Sequence, residues 1–353
     1  MTNGELDTDV QSDSLAHSSL KTSLIAEATA LGFDDCRIAP AGIPPHADAF
    51  RAWLADGNHG DMAWLERNAD RRTNPDAVLP GVKSVIVLAV NYWQRGEPSP
   101  AIARYAWGVD YHDIVEPKLG KLDAWLQTQG GKQRQYIDTG PVMERDFAAL
   151  SGMGWHGKST MLIHPKLGTW FFIGAIFTTL ELPPDEPARD HCGKCTRCVT
   201  ACPTGAIVEP RKVDARLCVS YLTIENKGPI PLELRAQIGH RIYGCDACLD
   251  ACPWNRFAQE SREVQFAARE FIGMNPRDFL ALDDDAFRTL FKGSPIKRIK
   301  RPRFLRNVCV ALGNTGTAED LPALDNAALD PDALIAEHAT WGAAEIRKRT
   351  DIS

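Results

Sequence analysis

The chain is 353 residues long, 44% hydrophobic and 24% charged, a composition that fits two or three ordinary globular domains and excludes a fibrous or wholly disordered protein. Its formal charge of −6 argues against nonspecific coating of nucleic acid, so any basic patch has to be sought locally. No apolar run is long enough to span a bilayer, and no lysine or arginine precedes Lys21, the reverse of an export signal. The expectation is a cytoplasmic protein away from any membrane, in which ten cysteines stay reduced and act as metal ligands rather than disulfides.

Residues 1–20 read as an acidic, disordered tail. From Lys21, "KTSLIAEATALG" shows helical periodicity and stops at Gly32, a suitable C-cap. A second helix is expected over 46–56, and "SVIVLAVNYW" reads as a buried strand, being short, β-branched and bounded by Pro80-Gly81 and Gly96. A long amphipathic segment over 112–129 precedes the strand-like "RQYIDTG", a short helix after Pro141, and the apolar strand candidate "TWFFIGAIFTTLEL" at 169–182. Strands separated by helices make 21–185 an α/β or α+β domain, so the chain as a whole is expected to be α+β. Residues 186–258 are rich in turns and poor in periodicity, as where metal replaces a hydrophobic core. The remainder, 259–353, is helical in pattern and resembles about one and a half HEAT-type repeats.

The cysteines carry the strongest signal. "HCGKCTRCVTACPTGA" holds the bacterial ferredoxin run C-x₂-C-x₂-C-x₃-C-P at Cys192, Cys195, Cys198 and Cys202. "IYGCDACLDACPWN" repeats it with Cys245, Cys248 and Cys252, but Ile242 stands where the first cysteine belongs. In two-cluster ferredoxins the cysteine before proline crosses to the other cluster. Cys192, Cys195, Cys198 and Cys252 then complete one [4Fe–4S] cluster, while Cys202, Cys245 and Cys248 lack a ligand. Cys218, the one unassigned cysteine nearby, is expected to supply it, since a ligand need only be close in space. Zinc is the plain alternative for a four-cysteine site, but two such runs with Pro203 and Pro253 in place favour iron and sulfur. Cys36 and Cys309 are expected as packed thiols.

Beyond the cysteines, "RYAWGVDYH" (104–112), "IDTGPVMERDFAALSGMGWHGKSTMLI" (137–163), "CPTGAIVEP", "CVSYLTIE", "HRIYGCDACLDACPWN" and "RFLRNVCVALGN" together resemble the epoxyqueuosine reductases, over nearly the whole chain beyond the acidic tail. The resemblance implies a cobalamin-dependent reduction of the epoxide of epoxyqueuosine to queuosine in a tRNA anticodon loop. It further implies an N-terminal cobalamin-binding domain, a ferredoxin-like domain with two [4Fe–4S] clusters that deliver single electrons from a low-potential donor, and a C-terminal helical region against tRNA. A monomer is expected. The D-x-H-x-x-G signature of histidine-ligated corrinoid proteins is absent, "DYHDIV" at 110–115 lacking the glycine.

The resemblance places the catalytic acid at Asp138, where an apolar site would raise a carboxyl's pKa enough to protonate the leaving oxygen. The plain reading of the same residue is a turn or helix cap before Gly140-Pro141. Arg104, Tyr105, Lys158, Met161, Ser220 and Tyr221 fall where family members contact the corrinoid or the substrate, and Glu144 and Arg145 read as a structural ion pair. Some members have a cysteine before the arginine of "RYAWG"; here it is Ala103. A tRNA footprint is expected in "KGSPIKRIKRPRFLR", through Lys292, Lys297, Arg298, Lys300, Arg301, Arg303 and Arg306. Two other classes fit part of the pattern, a soluble corrinoid-dependent reductive dehalogenase and a plain two-cluster electron carrier.

Overall fold

A computed structural model describes residues 5–96 and 102–350. The first half is built on one four-stranded sheet. Strand β1 (Asp35–Pro40) follows helix α1 (Glu5–Ala30); β2 (Ser84–Asn91) follows α2 (Ala47–Ala55) and the short α3 (Ala63–Arg67) and α4 (Ala69–Thr73). Helix α5 (Tyr111–Thr128) leads to β3 (Gln133–Ile137), and α6 (Glu144–Leu150) leads through the small ribbon β4 (Trp155–His156) and β5 (Leu162–Ile163) to β6 (Phe171–Thr178). The strand order is β1-β2-β6-β3 and every pairing is antiparallel, which decides the first domain in favour of α+β.

All eight residues of β2 are buried because the sheet is covered on both faces, and that is why its sequence is a continuous apolar run rather than an alternation. Ile86, Leu88 and Val90 point into a core shared with Leu24 and Ala28 of α1 and Ile114, Leu119 and Leu122 of α5. Val85, Val87 and Ala89 point the other way, against Phe147 and Ala148 of α6. Each fully buried Val, Leu or Ile contributes roughly 1.5–3 kcal/mol relative to exposure. The helix of α5 starts where the Asp110 side chain accepts the His112 backbone N–H at 3.1 Å, an N-cap supplied by sequence.

The tail expectation is corrected. No glycine or proline interrupts Glu5–Ala30, and α1 extends back to Glu5, so residues 5–20 are helical; residues 1–4 of that expectation lie outside the described residues.

The cysteine region holds short elements only: α7 (Arg197–Ala201), the ribbon β7 (Ile207–Glu209) with β8 (Lys212–Val213), α8 (Val219–Ile224), α9 (Leu232–Ile238) and α10 (Ala247–Asp250). After α11 (Pro276–Phe279) and α12 (Asp284–Leu290) come α13 (Lys300–Thr315), α14 (Leu321–Ala327) and α15 (Ala333–Thr350). Gly313 and Gly342 let α13 and α15 approach closely: a Cβ on Gly342 would lie 2.6 Å from the Cys309 carbonyl oxygen. This helical core includes Ile102, Trp107, Ile242 and Tyr243, so it grips both the "RYAW" segment and the second cysteine loop. No described helix is long and apolar enough to cross a membrane.

Candidate active site and cluster cage

Asp138 lies one residue beyond β3, is solvent-exposed, and has φ +57°. A non-glycine residue in this region is strained by about 1–3 kcal/mol, and such strain concentrates at functional positions. The turn is built locally: a Cβ on Gly140 would sit 2.4 Å from Cγ of Tyr136, so only glycine lets the chain fold back over that ring. Tyr111, first residue of α5, donates its hydroxyl to Asp138 Oδ2 at 2.5 Å. Burial pushes the Tyr111 hydroxyl's pKa up, and the neighbouring Asp138 carboxylate adds to this, so tyrosine is the donor of the pair. Tyr111 also stacks on His112 at 4.1 Å between centroids. The His112 imidazole is held towards its charged form by Asp110 against the effect of burial, and its Nε2 is buried without a hydrogen-bond partner among the described residues.

Glu144 was expected as half of a structural ion pair. Instead burial pushes its carboxyl up to about 8, with the nearby Asp138 charge adding, and its Oε1 is buried without a partner among the described residues. Arg145 bonds the Thr160 carbonyl instead. Tyr111, His112 and Glu144 were not singled out as site residues from sequence; the signal available was the cap Asp110 preceding two aromatic rings in "DYH".

A continuous set of contacts joins Asp138 to the cysteines. Tyr111 meets Tyr105 at 6.3 Å and Tyr105 meets Tyr243 at 6.1 Å, and Tyr243 precedes Gly244-Cys245 in the chain. The Ala103 N–H donates to the Tyr243 carbonyl at 2.8 Å, and the Arg104 N–H to Asp246 Oδ2 at 2.7 Å. Arg104 is buried, with its guanidinium 4.3 Å over the Trp107 ring and bonded to the Gln94 carbonyl. It ties the segment to the cysteine loop, and its Nε is buried without a partner among the described residues.

The cysteines fall into two groups. Cys192, Cys195, Cys198 and Cys252 line one small cavity together with Lys158 and Trp254. Burial raises the Cys252 thiol, and Cys192, Cys198 and Cys195 add to it. In the second group burial raises Cys248 well above the usual thiol range, with Cys245, Cys218 and Cys202 contributing. Half-buried thiols gathered in fours suit a cationic group that makes thiolates favourable. Ile242, where the repeat calls for cysteine, is 0% exposed in the helical core, and its carbonyl accepts from Asn307 Nδ2 at 2.8 Å. Cys36 and Cys309 are buried, both thiols raised mainly by burial, Cys36 to about 12.

The structure places the remaining expected contacts as follows. The Tyr221 hydroxyl accepts the Asp61 N–H at 2.7 Å, pressed against Gly60, so it locks a turn. Lys158 donates to the Gly193 carbonyl at 2.7 Å beside the first cysteine cavity. Met161 packs on the sheet core, and Ser220 is half-buried in the first turn of α8. In the basic segment Arg306 is 0% exposed and donates to the carbonyls of Leu222, Asn226 and Gly228. Arg301 pairs with Asp330 at 2.6 Å and Arg303 bonds the Ile224 carbonyl. Buried guanidinium groups that satisfy backbone carbonyls hold α13 to the cysteine region; Arg306 therefore has no phosphate within reach. Lys292, Lys297, Arg298 and Lys300 are exposed, Arg298 also pairing with Glu225 at 2.5 Å.

Paired cysteine cages beside a domain that presents a strained carboxylate are the parts of an iron–sulfur oxidoreductase. Residues 191–255 match the family described as "4Fe-4S double cluster binding domain", and residues 72–139 match "Epoxyqueuosine reductase QueG, DUF1730". The epoxyqueuosine reductase of Xanthomonas campestris pv. campestris is 41% identical over 329 residues, covering 89% of this chain and 92% of that protein; that of Vibrio cholerae is 39% identical, covering 92% and 91%. The chain belongs to the epoxyqueuosine reductase family and is a reductase. Among solved structures it is similar to an epoxyqueuosine reductase crystallised with an epoxyqueuosine-modified tRNA-Tyr stem loop, at TM-score 0.86 and 30% identity over 93% of this chain and 90% of that one. It is also similar to the Bacillus subtilis enzyme captured with its catalytic aspartate loop swung out of the active site, at TM-score 0.84 and 28% identity over the same shares.

Proposed function

We propose that this chain reduces epoxyqueuosine to queuosine in the anticodon loop of tRNA, in the cytoplasm, with Asp138 as proton donor, two [4Fe–4S] clusters as the electron relay and cobalamin as the group that meets the epoxide. The observation that carries the reading is Asp138: exposed, strained, and linked through Tyr111, Tyr105 and Tyr243 to the loop of Cys245.

The residues fit both cofactors. Cys192, Cys195, Cys198 and Cys252 would hold one cluster, and Cys202, Cys218, Cys245 and Cys248 the other. For cobalamin, the wall formed by Asp138, Tyr111, Tyr105 and the partnerless Nε2 of His112 offers polar contacts beside the second cysteine group, with Ser220 on the cluster side. Bound there, a reduced corrinoid supplies a cobalt nucleophile for an epoxide carbon, at a potential that an external low-potential donor reaches through the clusters.

The protein's own part is proton delivery and positioning. Asp138 would pass the proton that the departing oxygen needs; Tyr111, whose hydroxyl donates to Oδ2, keeps that carboxyl aimed while the turn is closed. Glu144, neutral near pH 7, adds no negative charge beside the developing alkoxide. Lys292, Lys297, Arg298 and Lys300 would attract the tRNA backbone by salt-dependent contacts, and the modified base would be extruded into the pocket.

The test is anaerobic reconstitution. About eight irons per chain, a corrinoid spectrum that changes on binding, and queuosine formed from epoxyqueuosine-tRNA with a low-potential donor are expected. Full iron loading with neither corrinoid uptake nor queuosine would sink the proposal.

A further inference from the structure

The loop before α2, the buried face of α6 and strand β4 bring together His46, Asp146 and His156, which the proposed reaction does not use. His46 Nδ1 and His156 Nε2 lie 2.8 and 2.9 Å from the same oxygen, Asp146 Oδ1, and one ligand atom from each of the three lies within 4.8 Å of the others. Asp146 is buried, at 2% side-chain exposure, while His46 is 47% exposed. The three line an open cavity of about 230 Å³ whose walls include Trp155, Asp190 and Arg211.

Two histidines bonded to one carboxylate would be the plain account, and His46 conforms to it. Its Nδ1 makes a regular bond to Oδ1, and its backbone N–H holds Oδ2 at 3.0 Å. His156 does not conform: its Nε2 is buried and, despite the short separation, is not aligned for a hydrogen bond with any described residue. A buried imidazole nitrogen 2.9 Å from a carboxylate oxygen yet not in hydrogen-bond geometry with it calls for an explanation, and a cation between the three side chains supplies one.

We propose that His46, Asp146 and His156 form a binding site for a borderline divalent cation of the zinc class. Two imidazoles and a carboxylate are a donor set that zinc accepts, with a fourth position left for water, and that position faces the cavity. Zn–N bonds of about 2.0–2.1 Å require the two nitrogen-to-Oδ1 separations to widen by a few tenths of an ångström, which the half-exposed His46 can supply. The surroundings fix the ligands from behind: Arg211 Nε donates to the His156 carbonyl at 3.2 Å, the Arg211 guanidinium pairs with Asp190, and Asp190 Oδ1 accepts the Cys192 N–H at 2.7 Å. The cation would therefore pin three separate segments directly behind the first cysteine run.

The test uses the cluster-loaded chain. Zinc chloride is titrated anaerobically into wild type, His46→Ala and His156→Ala, and zinc and iron are counted by mass spectrometry after buffer exchange. Wild type should retain about one zinc at undiminished iron, and each variant should bind it at least about tenfold more weakly while keeping its iron and its queuosine formation. No zinc retained by wild type, zinc gained only as iron is lost, or variants that retain zinc as well as wild type would each overturn the site. Because zinc is read against iron and not through turnover, this result and that of the reconstitution stand or fall separately.

Discussion

The Tyr111 hydroxyl is 2.5 Å from a carboxylate oxygen of Asp138, and Asp138 is held there at φ +57°. A side chain from the first turn of a helix thus restrains a strained residue just past the end of a strand, at the point where the chemistry is proposed.

Asp138→Asn is expected to fold and load both clusters normally, because asparagine adopts the same left-handed backbone, yet to lower turnover about 10²–10⁴-fold by removing the acid. Single-turnover formation of queuosine measures it, and unchanged turnover would remove Asp138 from the mechanism.

Tyr111→Phe keeps the ring stacked on His112 and removes only the hydroxyl. As a positioning change it should lower kcat by about 5–50-fold with KM nearly constant. A loss confined to KM would make Tyr111 a substrate contact instead.

Glu144 has a carboxyl raised from 4.5 to about 8 by burial. The folded chain keeps a proton that the unfolded chain has released, so this stabilising contribution is complete below pH 4.5 and is lost as pH rises through about 8. Glu144→Gln stays neutral throughout. Its Tm should therefore exceed that of wild type by about 2–4 °C at pH 8.5, with the gap narrowing towards pH 5; a gap independent of pH would show that Glu144 ionises normally.

The basic segment divides into two kinds of residue. Lys292→Ala and Lys297→Ala should leave Tm unchanged and each lower the slope of log affinity for tRNA against log salt by about 0.7–0.9 if it meets one phosphate. Arg306→Ala removes the donor from one buried and two half-buried carbonyls and should cost about 2–3 kcal/mol of stability, visible by thermal unfolding. Equal tRNA defects without a loss of stability in Arg306→Ala would contradict its buried role.

Cys218→Ala should drop the iron content from about eight to about four per chain. Adding Ile242→Cys, which restores the repeat on paper, should not recover it, since that side chain points into the helical core. Iron analysis and electron paramagnetic resonance of the reduced protein distinguish the outcomes; full recovery would mean that the second loop takes the ordinary ferredoxin register.

Much of the scaffold was legible because its signals are local. The run at Ser84–Asn91, the heptad-like face of α5 and the spacing of Cys192 to Cys202 each sit within a few turns of chain, and each reads the same in isolation as in the fold. Strand β1 escaped notice because "DCRIAP" has no clear alternation; it becomes a strand by pairing with β2 from Asp35↔Ala89 to Pro40↔Ser84, a partner nearly fifty residues away. Helix α1 was cut short by its acidic composition, which says little about helix length once the following turns are anchored.

What the sequence by itself determined was the two-cluster cysteine pattern and the buried strands, since ligand spacing and apolar runs are properties of neighbouring residues; Asp138 came from the family resemblance, its turn motif alone reading as a cap. The tertiary structure decided which charges are available. Arginines that look alike along one segment separate into surface cations and buried carbonyl clamps, Glu144 changes from ion-pair partner to neutral acid, and His46, Asp146 and His156 meet across 110 residues of chain. Burial and proximity set the state of an ionisable group, and both arise only when distant segments pack together.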